Sequence, residues 1–152
     1  MALSHDDIHQ LPRDEEEMLR RAVDFHGHLG PYVLFGLRAG LLARRLLDAD
    51  CHFDLRVVAW VGTKPSPSCM ADGLQVATGA TLGKGTIELR PLDDEGPRAL
   101  ISARSRSVLI RPSREALEAI RGLAGMAAAH DRGNELMAWP DERLLTVEEV
   151  TP

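Results

Sequence analysis

The sequence is poor in cysteine, in aromatic residues and in positive charge, and each shortage removes a class of protein. Cys51 and Cys69 are the only cysteines. Two thiols cannot build a disulfide framework, and a chain of 152 residues can bury a core without one. No C-x-x-C occurs, which excludes a structural zinc ribbon, and two cysteines are too few to hold an iron–sulfur cluster within the chain. The net charge is −5 with His neutral. Phosphate neutralisation needs an excess of Lys and Arg, so nucleic acid is not an expected partner. Long apolar runs are also missing. The longest tract, residues 31–47, is interrupted by Arg38, Arg44 and Arg45 and is not a membrane span. The opening MALSHDDIHQLPRDEEE is polar and acidic, without an apolar signal core, so a cytoplasmic location is expected.

What remains is an ordinary globular composition, 44% hydrophobic and 27% charged. Residues 1–12 read as a flexible leader and residues 13–152 as one domain. Asp14 and Glu15 to Glu17 suit the positive end of a helix dipole, and they open a helix that breaks near Gly27. Pro31 restarts a helix, which runs to about Leu47 with apolar residues around most of its circumference. Leu55 to Val61 is β-branched and reads as a strand, and the Lys64–Pro67 loop leads to a helix over 68–78. A glycine-rich turn, a strand over 86–90 and a hairpin-type loop at PLDDEGP come next. Residues 98–111 hold one long strand or two short ones. Ser113 caps a helix to about Met126, AAAHDRGN is its frayed end, 135–139 is helical, and 144–150 is a last strand. Helices and strands do not alternate regularly. The fold class is therefore α+β, a mostly antiparallel sheet packed with helices in a single domain.

Three segments carry groups capable of chemistry. In Phe25-His26-Gly27-His28-Leu29-Gly30-Pro31, two histidines one residue apart on an irregular segment can face the same side, next to the free N–H groups of a helix start. They form a candidate ligand pair or acid–base pair; the plainer alternative is a helix-end histidine beside an exposed one. In Pro67-Ser68-Cys69-Met70-Ala71-Asp72-Gly73, Ser68 reads as an N-cap. That places Cys69 in the first helical turn, where the dipole lowers a thiol pKa, with Asp72 on the same face. A thiolate and a carboxylate so placed can bind one metal ion; a buried small thiol and a dipole-compensating carboxylate are the alternative. The third segment, Thr78 to Thr86, lacks the spacing of a phosphate-binding P-loop. It reads either as a helix C-cap at Gly79 with a glycine turn, or as a source of polar ligand-binding groups, Thr81 and Lys84. Arg104, Arg106 and Arg111 form an arginine row, with Arg104 and Arg106 on one strand face, best explained as a solvated surface.

These segments, in this order, resemble the FmdE-like family, named for a component of formylmethanofuran dehydrogenase. The matching stretches are FHGHLGP with the following Gly36-Leu37-Arg38, then SCMADGLQVATG, then ATLGKGTIEL. The resemblance is close over residues 20–90 and loose beyond. It implies an α+β core that pairs into homodimers, and a metal-binding or catalytic pocket to which His26, His28, Cys69 and Asp72 carry over. Two departures bear on the ligand set. Gly30-Pro31-Tyr32 stands where many relatives have Cys-Pro-Gly, and Ala80 where many have a cysteine in Thr-Gly-Cys-Thr. Their loss favours a His-rich or mixed site over a sulfur-rich one. The resemblance does not bring formylmethanofuran redox chemistry, which needs a tungsten or molybdenum cofactor and clusters on other components of that enzyme.

The leading functional expectation is a pocket for a divalent metal ion, zinc or similar, formed by His26, His28, Cys69 and Asp72. A metal-free thiol enzyme is the alternative, with Cys69 as nucleophile, His26 or His28 as base, and Thr81 and Lys84 on a small anionic ligand. A non-catalytic accessory subunit of a larger redox complex is a third. A two-fold dimer is expected as well. The helix over 31–47 is apolar on nearly every side, aromatic residues make up only 4%, and Gly36 and Gly40 offer a smooth face to the sheet or to another copy of the chain.

Overall fold

The computed structural model describes residues 1–4 and 10–151. Part of the expected leader, residues 5–9, lies outside the described residues. Its end is docked: Gln10 bridges Cys51, the Leu11 N–H donates to the Asp50 carbonyl at 2.7 Å, and the Leu11 side chain is buried.

Helix α1 spans Glu15–His26, with Asp14 accepting from the Glu16 N–H as its cap and Gly27, left-handed at φ 107°, ending it. Helix α2, Pro31–Leu47, has the boundaries that its proline start and apolar content predict. Strand β1 (Arg56–Trp60) leads through a short 3-10 turn (Pro67–Cys69) into α3 (Met70–Thr78). Strands β2 (Ile87–Arg90), β3 (Arg98–Ala103) and β4 (Arg106–Pro112) come next. Helices α4 (Arg114–Ile120), α5 (Met126–Met137) and α6 (Asp141–Leu144) precede the final strand β5 (Leu145–Val150).

The five strands form one sheet in the order β2-β1-β3-β4-β5. Only β1 and β2 are parallel, joined by the α3 crossover; the other pairs are antiparallel. The expected mostly antiparallel α+β architecture is the observed one. Alternation decides which face is covered. Val57, Ile101 and Val108 stand in register, as do Ala59, Ala99 and Ile110, and all six are buried. Their neighbours Val58, Leu100 and Leu109, on the opposite face, are only half-buried. α2 packs on α3 and reaches β3 and β4.

The glycines of α2 have a definite partner, and it lies within the chain. A Cβ at Gly36 would stand 2.0 Å from the Met70 carbonyl oxygen, and one at Gly73 2.1 Å from that of Val33. Gly40 faces the Ala77 side chain, whose Cβ a Cβ at Gly40 would meet at 2.5 Å. α2 and α3 thus touch backbone to backbone, and α3 fills the face expected to meet the sheet or another copy of the chain.

Four sequence expectations change. PLDDEGP is not a hairpin loop, because β1 lies between β2 and β3 and the segment must cross it. Residues 98–111 are two strands, one of the two arrangements expected, around a corner at Arg104, whose φ is 56°. Arg104 and Arg106 therefore share no strand face: Arg104 donates to the Leu47 carbonyl, Arg106 pairs with Glu149 and Arg111 donates to the Glu95 carbonyl. The helix capped by Ser113 ends at Ile120, and the expected frayed end is part of the twelve-residue α5. Finally, Arg38 and Arg44 only interrupt the apolar tract on paper. Both are buried, and each spreads its guanidinium over several carbonyl and carboxylate oxygens.

Candidate functional site

The segment between α1 and α2 is fixed from both ends. Gly27 turns the chain out of α1 and Pro31 starts α2, so His26 is the last residue of α1 and His28 sits in the short link over 27–30. Their ring centroids are 5.0 Å apart. Nδ1 of His26 lies 2.6 Å from an Asp72 carboxylate oxygen. Nδ1 of His28 lies 3.1 Å from the Leu29 carbonyl oxygen. A carbonyl and an ionised carboxylate only accept, so in the neutral ring Nδ1 carries the proton and Nε2 the lone pair, in both histidines. Asp72 comes from the first turn of α3 and thereby ties that helix to the end of α1.

Cys69 closes the 3-10 turn and occupies the N-cap position of α3. Ser68 is inside that turn and does not cap, and no side chain caps α3. The expected lowering of the thiol pKa is reversed: burial, and then the nearby Asp72 charge, push the Cys69 thiol upward.

His26, His28 and Cys69 border one cavity of about 320 Å³. Its polar end also includes Ser66. Ile120, Leu123, Met126 and Ala129 supply an apolar wall on the side of α4 and α5. The starts of α2, α3 and α5 border the same space, at Pro31, Cys69 and Met126. Of the residues singled out from sequence, the structure brings together His26, His28 and Cys69 around the cavity and places Asp72 behind His26. Thr81 and Lys84 do not line it. They lie past the other end of α3, about 13 Å of helix away. There Thr81 Oγ1 accepts from the Lys84 N–H, and Lys84 Nζ donates to the His52 carbonyl and lies over the Phe53 ring. The apolar wall was not anticipated. Its residues carry no reactive group, and only their meeting with residues ninety positions earlier gives them a role.

The metal that the resemblance implies is matched in donor chemistry. Two imidazoles, each oriented through Nδ1 by a carboxylate or a carbonyl, are arranged as metal-ligating histidines usually are. It is not matched in convergence: among the described residues no three of His, Cys, Asp and Glu stand close enough together to hold an ion.

Together these features define a class, an α+β protein whose histidine–cysteine cavity lies where the helix layer meets the 65–69 loop. The family described as "FmdE, Molybdenum formylmethanofuran dehydrogenase operon" matches residues 25–146, and the chain belongs to it. An FmdE-like protein of Syntrophus aciditrophicus, of the tungsten formylmethanofuran dehydrogenase type, shares the fold, with a TM-score of 0.60 over 91% of this chain and 72% of that one, at 17% identity. A probable S-adenosyl-L-methionine-binding protein of Archaeoglobus fulgidus is 38% identical over 74 residues. That stretch is 46% of this chain and 19% of the relative, so the chain spans about a fifth of that protein's length. No described helix is long and apolar enough to cross a membrane.

Proposed function

We propose that the cavity is a small-ligand site whose polar end takes a divalent metal ion of the zinc type. Nε2 of His26, Nε2 of His28 and the Cys69 sulfur would have to draw together to hold it, since among the described residues they do not converge as they stand. One observation carries this reading: both rings border the cavity that Cys69 also borders, and the Nδ1 of each is already committed. Asp72, expected as a ligand, becomes the group that orients His26. A bound ion would act as a Lewis acid on whatever shares the cavity. The chain's own part is to fix the two imidazole tautomers and to wall the space with apolar side chains. The metal-free thiol reading is disfavoured, because the Cys69 thiol is pushed upward and Thr81 and Lys84 are elsewhere.

Elemental analysis of protein purified without a metal-affinity tag tests the proposal. About one ion per chain is expected, with loss in His28→Ala and Cys69→Ser. Asp72→Asn should retain the site with affinity weakened roughly 10- to 100-fold, the usual effect of removing an orienting partner. Wild-type protein without stoichiometric metal overturns the reading.

A further inference from the structure

We infer that the ligand of this cavity is an organic molecule with two unlike ends, and that Leu123 and Met126 select its apolar arm. The inference rests on the proposed function only in placing the polar end at His26, His28 and Cys69. The cavity of about 320 Å³ has room for about ten waters at ~30 Å³ each. One ion with its residual waters leaves most of that space open. The lining is of two kinds, the nitrogens and sulfur of His26, His28 and Cys69 from one part of the chain, and the apolar Ile120, Leu123, Met126 and Ala129 from another. Met126 is 68% exposed and Leu123 half-buried, although both border the cavity. Large apolar side chains left partly wet at the edge of a concave site are what an apolar ligand group covers.

The segment that carries them is built as an adjustable wall. Residues 121–127 are nearly all exposed, and they run between Gly122 and Gly125, at φ 76° and 89°. A Cβ at either glycine would meet nothing within 4 Å, so no side chain crowds the backbone there. α5 is anchored farther along, where Gly133 lies against Leu29 and Gly30 and Leu136 is buried. The wall therefore hangs from a fixed helix and can settle on arms of different shape.

Cys69 permits a direct test, with Cys51 as an internal reference that does not border the cavity. In EDTA, the protein is treated with N-methyl-, N-ethyl-, N-propyl- and N-butylmaleimide, and adducts at each cysteine are timed by peptide mass. The thiolate adds across the ring double bond, an S–C bond replaces the π bond, and water protonates the other carbon. The thiolate fraction is common to the series, so the Cys69:Cys51 rate ratio reports how the arm fits. We expect the ratio to rise about tenfold from methyl to butyl, below the limit set by fully burying three methylenes at ~0.8 kcal/mol each. In the uncharged variants Leu123→Asn and Met126→Asn the rise from methyl to butyl should disappear. A flat ratio in the wild-type protein overturns the inference, whether or not the variants fold. So does a rise that survives both variants. The metal proposal stands or falls separately, because the series is run without metal and elemental analysis involves no maleimide.

Discussion

Backbone contact at Gly36 and Gly73 is the least forgiving feature at the scale of single residues. A methyl group at either position would have to displace a carbonyl oxygen of the facing helix, and no side chain is there to swing aside. Gly36→Ala and Gly73→Ala should each cost about 3 kcal/mol in urea unfolding, at the upper end for overpacked cores. Gly83→Ala, where a Cβ meets nothing and φ is not in the left-handed region, should change stability by less than ~0.5 kcal/mol. Equal losses at all three sites would contradict the close packing of α2 on α3. A second prediction concerns Asp93, whose carboxyl is held below its ordinary range first by its hydrogen bond to Arg98. A carboxyl lowered in the folded state adds stability above its unfolded pKa of about 3.9 and loses it as pH falls through the folded value. The stability gap between wild type and Asp93→Asn should therefore be full at pH 6 and shrink as the pH is taken below 4. A gap independent of pH would mean that the pair with Arg98 contributes nothing.

Among the elements, the join between α5 and α6 is tied to α2 chiefly through Arg38, with Arg45 as a second partner of Asp141. Arg38 bonds Asp141 at 2.8 Å and the Trp139 carbonyl at 2.8 Å, and it reaches the Met137 carbonyl at 3.3 Å. Truncation leaves two carbonyls without that donor, while Asp141 keeps its second partner, Arg45. Arg38→Ala should cost about 2 kcal/mol, from lost hydrogen bonds of a charged donor, with hydrogen exchange accelerating across residues 126–144 before it does in α2 or α3. Uniform acceleration through the chain would show that Arg38 acts globally. These elements also mark where sequence reading stops. α2 is legible because Pro31 fixes its start and its own composition demands burial. α5 is not, since AAAHDRGN is polar, contains Gly133 and buries only Gly133 and Leu136 of its twelve residues. The helix is held by contact with Leu29 and Gly30, which no local pattern encodes. The candidate site divides the same way. His26, His28 and Cys69 stand out by chemistry and Asp72 by its spacing from Cys69, but the pairing of Asp72 with His26 spans 46 residues and the 120–129 wall leaves no local trace.

For the molecule as a whole, most of the apolar circumference of α2 is buried within the chain, with Leu46 left exposed. Leu41 is only 6% exposed in the single chain, so Leu41→Lys should destabilise the protein at any concentration. The expected loss is about 3 kcal/mol, that of burying an unpaired charge. Were the urea midpoint of that variant to recover with rising protein concentration, α2 would belong to a seam between two copies after all.

The separation of the cavity's two sides along the chain has a further consequence. Its reactive end is written in residues 26–69 and its apolar side in residues 120–129, on different elements joined by different loops. Inheritance can act on one passage without disturbing the other. A descendant could keep both imidazoles and the thiol and exchange only the stretch from Ile120 to Ala129. It would then meet a new compound with old chemistry. A chimera grafting that stretch from a homologue should retain the host's metal content and acquire the donor's preference along the maleimide series.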